Sequence, residues 1–122
     1  MNHILPHYHQ ILTKEIQPYF QYCKLHPVTF SKNDTTQTLW TLHNQAIHQL
    51  HPYDIAPKQS LLDLKLELAN RLFSSCELCE HRCKINRNKT TGHCNVTTPH
   101  IASEFLHIGE EPPLIPSHTI FF

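Results

Sequence analysis

The sequence predicts a mainly α-helical fold with an irregular, metal-stapled segment and one or two short strands. Three observations carry this expectation. Apolar residues recur at helical spacing in three stretches before residue 74. That periodicity then lapses, and four of the five cysteines fall between residues 76 and 94. The chain closes on short runs rich in β-branched and aromatic residues, which suit strands. The expected organisation is a helical region over 1–73, a cysteine-rich metal-binding segment over 74–98 and an extended segment over 99–122.

The first helix is read from Tyr8, Ile11, Leu12 and Ile16, which share one face at a 3.6-residue period. Pro18 stops or bends that run. Residues 24–34 hold Pro27 and the Asn33-Asp34 pair and read as a connection. The second helix is expected over about 35–50, with Asp34 as its N-cap and Leu39, Trp40, His43, Ala46, Ile47 and Leu50 as its buried stripe. His51-Pro52 ends it, because a residue before proline avoids the α region. The third helix is expected over 60–73. Ser60 caps it, Asp63 adds negative charge at the positive end of the dipole, and Leu61, Leu64, Leu68 and Leu72 form one face. Leu62, Leu66 and Phe73 widen that face enough to need neighbours on two sides. Residues 99–108 read as extended chain, 109–113 as a proline-stiffened turn, and 118–122 as the start of a strand.

Length and charge exclude several classes of function. A chain of 122 residues makes one small domain with a modest core. Ten basic and ten acidic residues balance, so neither nucleic acid nor a membrane is attracted by bulk charge. No stretch approaches the roughly 20 apolar residues of a membrane helix. The N-terminus lacks the basic and apolar regions of a secretory signal. These features predict a cytoplasmic chain. Thiols stay reduced there, so clustered cysteines read as metal ligands before disulfides.

The cysteines run Cys76-x2-Cys79-x3-Cys83-x10-Cys94. Four thiolates suit tetrahedral Zn²⁺ or a [4Fe–4S] cluster, and the spacing leaves both open. Paired C-x2-C knuckles would favour zinc, whereas the first three cysteines differ by one residue from a ferredoxin-type run. Arg82, Lys84, Arg87 and Lys89 supply positive charge that favours thiolates and offsets a bound centre. His81 and His93 are read as solvated neighbours rather than ligands, and Cys23 as a small buried hydrophobe. The basic run has no interleaved aromatics to stack on bases, which argues against nucleic-acid binding.

Beyond spacing, the segments Cys76-Glu-Leu-Cys79, Arg82-Cys83, Gly92-His-Cys94, His107-Ile-Gly-Glu-Glu-Pro-Pro113 and Thr119-Ile-Phe-Phe122 carry a resemblance. Over about residues 74–122 the chain resembles the N-terminal part of a family of radical S-adenosyl-L-methionine (radical SAM) proteins related to the pyruvate formate-lyase activating enzyme. The resemblance implies an accessory N-terminal part whose last segment leads into the first strand of a radical SAM barrel. In the family a C-x3-C-x2-C triad follows that strand at once and binds a [4Fe–4S] cluster with one iron open to the cofactor. This chain ends at Phe122, before any such triad, and Cys76, Cys79 and Cys83 have the reverse order of spacing. No catalytic residue is therefore expected in it, and S-adenosylmethionine belongs to the implied full-length protein alone.

Three further residues enter through the same resemblance. Glu110, Glu111 and His107 are secondary candidates, placed before the first barrel strand where they would face the active-site mouth. As a solitary segment, Glu110-Glu111 reads as a solvated acidic turn stiffened by Pro112 and Pro113. Gly92 and Gly109 fall inside the motifs and are expected to serve tight turns. The expected function is a truncated fragment or split part of a radical SAM iron–sulfur protein, carrying a four-cysteine site and inactive alone. A split protein implies a separate catalytic chain as partner. The alternative is a small stand-alone zinc-binding module that acts through partners docked on its helices.

Overall fold

Helical periodicity and proline placement resolve into four helices and a two-stranded sheet among the described residues of a computed structural model, namely 5–51, 53–96, 98 and 100–121. In chain order these are α1 (Pro6–Leu12), α2 (Tyr19–Leu25), α3 (Thr36–His48), α4 (Leu61–Ser74), β1 (Ser103–His107), a 3₁₀ turn (Pro112–Leu114) and β2 (Ser117–Phe121). Contacts divide the chain into two units. One is Gln17–Asn95, which holds α2, α3, α4 and the cysteine segment; the other combines α1 with the segment from Val96 onward.

The first helix is shorter than its periodicity suggests. The Thr13 hydroxyl turns back onto the His9 carbonyl, and Lys14 takes a left-handed φ of 61°, so Ile16 lies outside α1. Pro18 does not merely stop a helix; it stands at the N-cap of α2, a helix the periodicity does not reveal. Its fixed φ suits a helix entry. Cys23 of α2 is 1% exposed and packs in the core, as a small hydrophobe should.

Thr35, not Asp34, caps α3. The Thr35 hydroxyl accepts the Thr38 N–H at 3.1 Å, while the Asp34 carboxylate accepts the Ser31 N–H at 2.8 Å and closes the preceding turn. The Arg71 guanidinium of α4 secures the same turn by donating to the carbonyls of Asp34 and Lys32 at 2.7 and 2.9 Å. Leu39 and Ala46 are the buried residues of α3, with Leu42, Ile47 and Leu50 packed partly against the core. Trp40 was expected inside but stays 37% exposed, its ring edge-on to His43.

Ser60 opens α4 with a full capping box. Its hydroxyl accepts the Asp63 N–H at 3.3 Å, and the Asp63 carboxylate accepts from the Ser60 N–H at 2.8 Å and the Ser60 hydroxyl at 2.6 Å. Chain leaving α2 is stitched to this cap: Leu61 N–H reaches the His26 carbonyl, and the Gln59 side-chain amide grips both backbone groups of Phe30. Leu61, Leu64 and Leu68 face the core from α4, against α2 and α3. The buried face is narrower than the run of leucines suggests, since Leu62 and Leu66 remain exposed.

The capping box has a pH signature. Hydrogen bonds from the Ser60 hydroxyl and then from its backbone hold the Asp63 carboxyl below the usual carboxylate range. A depressed folded pKa stabilises above the unfolded value, about 3.9, and the benefit fades as pH falls through the folded value. Asp63→Asn is expected to cost about 1 kcal/mol near neutral pH, with the difference from the parent shrinking below about pH 3. Urea midpoints of both proteins at the two pH values check this; a difference independent of pH would contradict it.

In the other unit β1 and β2 pair antiparallel, with Ser103 opposite Phe121, Phe105 opposite Thr119 and His107 opposite Ser117. The extended reading of 99–108 and the strand reading of 118–122 thus meet in one hairpin; Pro99 and Phe122 themselves lie outside the described residues. Among the described residues no helix is long and apolar enough to cross a membrane.

Candidate metal centre

The cysteine segment begins where α4 runs out. Cys76 donates its N–H to the Ile85 carbonyl and accepts from the Lys84 N–H, each at 2.9 Å, so the chain from Cys76 to Ile85 closes into a loop. Cys79 and Cys83 lie within that loop, and the Cys79 carbonyl accepts the Arg82 N–H at 3.0 Å. Arg82 and Lys84 flank Cys83 with φ of 39° and 53°, and Asn95 follows Cys94 with φ 54°. Left-handed backbone at residues other than glycine costs about 1 kcal/mol or more each. The segment is thus bent into a shape its local preferences oppose.

Arg87 organises the sulfurs. Its Nη1 donates to the Sγ of Cys76 at 3.4 Å and to the Sγ of Cys94 at 3.3 Å, and its Nη2 donates to the same Cys94 sulfur at 3.3 Å. The Arg87 backbone N–H bonds the Phe73 carbonyl in the last turn of α4, and its guanidinium lies 5.8 Å from the Phe73 ring centroid. Cys76 and Arg87 are both buried, at 1% and 9% exposure. A buried guanidinium needs an anionic partner. The hydrogen bond from Arg87 and then the Leu78 N–H draw the Cys76 thiol below its usual pKa, which favours thiolate. Reciprocally, the two sulfurs push the Arg87 pKa up and keep it charged.

The structure therefore brings the first and last of the four cysteines, Cys76 and Cys94, onto one side chain. Cys83 is half-buried against Gly92, and Cys79 and Cys94 are exposed. Among the described residues no group of three histidine, cysteine, aspartate or glutamate side chains is gathered as a metal cage. Cys23, Cys76, Cys79 and Cys83 form no disulfide. The donor set fits a soft metal in number and type.

Several neighbours fall differently from their sequence reading. Gly92 and Gly109 do not have positive φ, so the turns do not need glycine's conformational freedom. Close approach is the reason instead: a Cβ on Gly92 would lie 3.3 Å from the Cys83 sulfur, and one on Gly109 3.3 Å from His107 Nε2. His81 and His93 stack on each other with ring centroids 3.7 Å apart. Of the four basic residues counted as diffuse charge, Arg82, Lys84 and Lys89 are exposed, and Arg87 turns inward. Its position eleven residues after Cys76 and seven before Cys94 carries no signal without the fold.

The secondary candidates lie in the other unit. The His107 Nδ1 and Glu110 Oε1 are 2.7 Å apart, which orients the imidazole. Glu111 is exposed and instead caps the 3₁₀ turn, its carbonyl accepting the Leu114 N–H at 2.8 Å.

The chain is similar to a curated protein of a methanogen. An uncharacterized protein of Methanocaldococcus jannaschii is 43% identical over 90 residues, covering 69% of this chain. The chain spans 27% of the length of that relative. No protein-family model matches the chain, and no solved structure matches it.

Proposed function

We propose that this chain is the N-terminal, four-thiolate metal-binding part of a longer radical SAM iron–sulfur protein of the activating-enzyme type, without catalysis of its own. The observation that carries the metal reading is the buried Arg87 guanidinium donating to both Cys76 and Cys94. A cation buried against two thiols separated by 17 intervening residues has its full electrostatic value when those sulfurs are ionised, as metal ligands are. The motifs from Cys76 to Cys94 and from His107 to Pro113 support the family assignment, and the match to 27% of a longer relative supports a longer protein without bearing on its chemistry.

In this reading Cys76, Cys79, Cys83 and Cys94 hold either a [4Fe–4S] cluster or Zn²⁺. A cluster would supply electron transfer, and zinc would lock the segment. S-adenosylmethionine and its reductive cleavage belong to the remainder of the protein, which follows as a continuous chain or as a separate catalytic partner. Anaerobic purification of the 122-residue chain, followed by iron and zinc analysis and a visible spectrum, tests the site. A cluster is expected to give about four irons and broad absorption near about 400 nm. About one zinc with no colour would remove the electron-transfer role and leave the structural one. Neither metal, even after reconstitution, would overturn the four-thiolate reading.

A further inference from the structure

We propose that Arg87 is the positioning residue of the thiolate site, a built-in counter-cation that gathers the first and fourth sulfurs and remains hydrogen-bonded to them when metal is held. The proposal rests on the four-thiolate reading above. Its own support is geometric. Cys76 and Cys94 are the two ligands farthest apart in sequence, so bringing them together carries the largest loop-closure cost of the set. One rigid guanidinium spans both, with three N–H···S contacts of 3.3–3.4 Å. The fork is itself anchored, because its backbone bonds the Phe73 carbonyl and its plane lies near the Phe73 ring. Arg87 and Cys76 are buried, at 9% and 1% exposure, so the contact between them is shielded from water, while Cys94 is exposed.

Charge and geometry point the same way. Four thiolates around Zn²⁺ carry a net charge of about −2, and a buried monocation in contact with two of them offsets part of it. Lysine keeps the charge but lacks the planar fork, so it cannot hold this pair of nitrogens against the two sulfurs. Partners of this kind orient ligands and tune the metal, and their removal typically costs about 10–100-fold in affinity.

Cobalt is a direct probe, since Co²⁺ in a tetrahedral thiolate site gives sulfur-to-metal charge-transfer bands. The reduced full chain, Arg87→Ala and Arg87→Lys are titrated anaerobically with Co²⁺, with far-UV circular dichroism of each as a fold control. The parent is expected to bind about one cobalt per chain. Arg87→Ala should bind about 10–100-fold more weakly. Its charge-transfer bands should move to lower energy, because sulfurs relieved of N–H donors give up electrons more readily. Arg87→Lys, with its charge but no fork, should recover affinity in part and leave the bands shifted. A purely structural role would lower occupancy without moving the bands of the bound fraction. If the parent binds cobalt and both variants match it in affinity and band position, the role of Arg87 falls and the thiolate site stands. If the parent takes up no cobalt, the thiolate reading falls and the role of Arg87 falls with it.

Discussion

Replacing Cys76 by serine is expected to abolish stoichiometric metal binding and to loosen residues 76–95 while α2, α3 and α4 stay helical. Cys76 is the most completely enclosed of the four candidate ligands, at 1% exposure. Its backbone clamps Ile85 and Lys84, and its sulfur accepts from Arg87 and the Leu78 N–H. A serine hydroxyl stays protonated and is a hard, weak donor to zinc or iron, so the site would lose a ligand and Arg87 an anionic partner. Structural thiolate sites contribute on the order of 10 kcal/mol of apparent folding free energy, more than any single packing contact in a unit this small. Metal analysis of both proteins reports the first effect, and amide exchange at Cys76, Lys84 and Arg87 reports the second. Cys23→Ser is the matched control, since Cys23 sits in the helical core and should leave metal content unchanged. Equal metal in Cys76→Ser and the parent would count against the site.

The helical part was legible where local and tertiary signals agree. At α4 the Ser60 cap, the Asp63 charge and the leucine spacing all specify one helix, and the structure adds the reciprocal bond that completes the capping box. At α3 the cap was expected at Asp34. Thr35 took the role because Asp34 was already engaged by Ser31, a choice settled by a turn that sequence spacing does not encode. Helix α2 was not legible because a proline that ends one helix also begins another. Trp40 misled for a different reason. It was expected as part of the buried stripe, but on α3 Leu39 and Ala46 are buried while Trp40 stays 37% exposed.

At the candidate site, cysteine spacing identified the donors, but it could not say which sulfurs are neighbours. That depends on left-handed turns at Arg82 and Lys84, residue types that seldom adopt such backbone, as well as at Asn95, which does so more readily. The inward course of Arg87 likewise follows from its bond to the end of α4. Sequence could count four positive charges; only the fold separates one buried fork from three solvated side chains.

Leu64→Ala should give the largest loss in the helical core, about 3 kcal/mol. Leu64 is fully enclosed, in one cluster with Cys23 of α2 and Leu39 of α3, so truncation leaves a cavity that three helices must collapse to fill. Domains of this size hold only about 5–10 kcal/mol in total, so the urea midpoint should fall steeply. Leu66→Ala, two residues along the same helix but 63% exposed, should change stability by less than about 0.5 kcal/mol. Similar losses from both would mean that α4 does not present the face described. The core variant also tests whether core and cysteine segment are coupled. Both belong to the Gln17–Asn95 unit, and Arg87 bonds the last turn of α4. Metal that binds only the folded unit stabilises it by mass action. Saturating metal should therefore raise the midpoint of Leu64→Ala as well as that of the parent. A midpoint indifferent to metal in both proteins would separate the cysteine segment energetically from the helices that precede it.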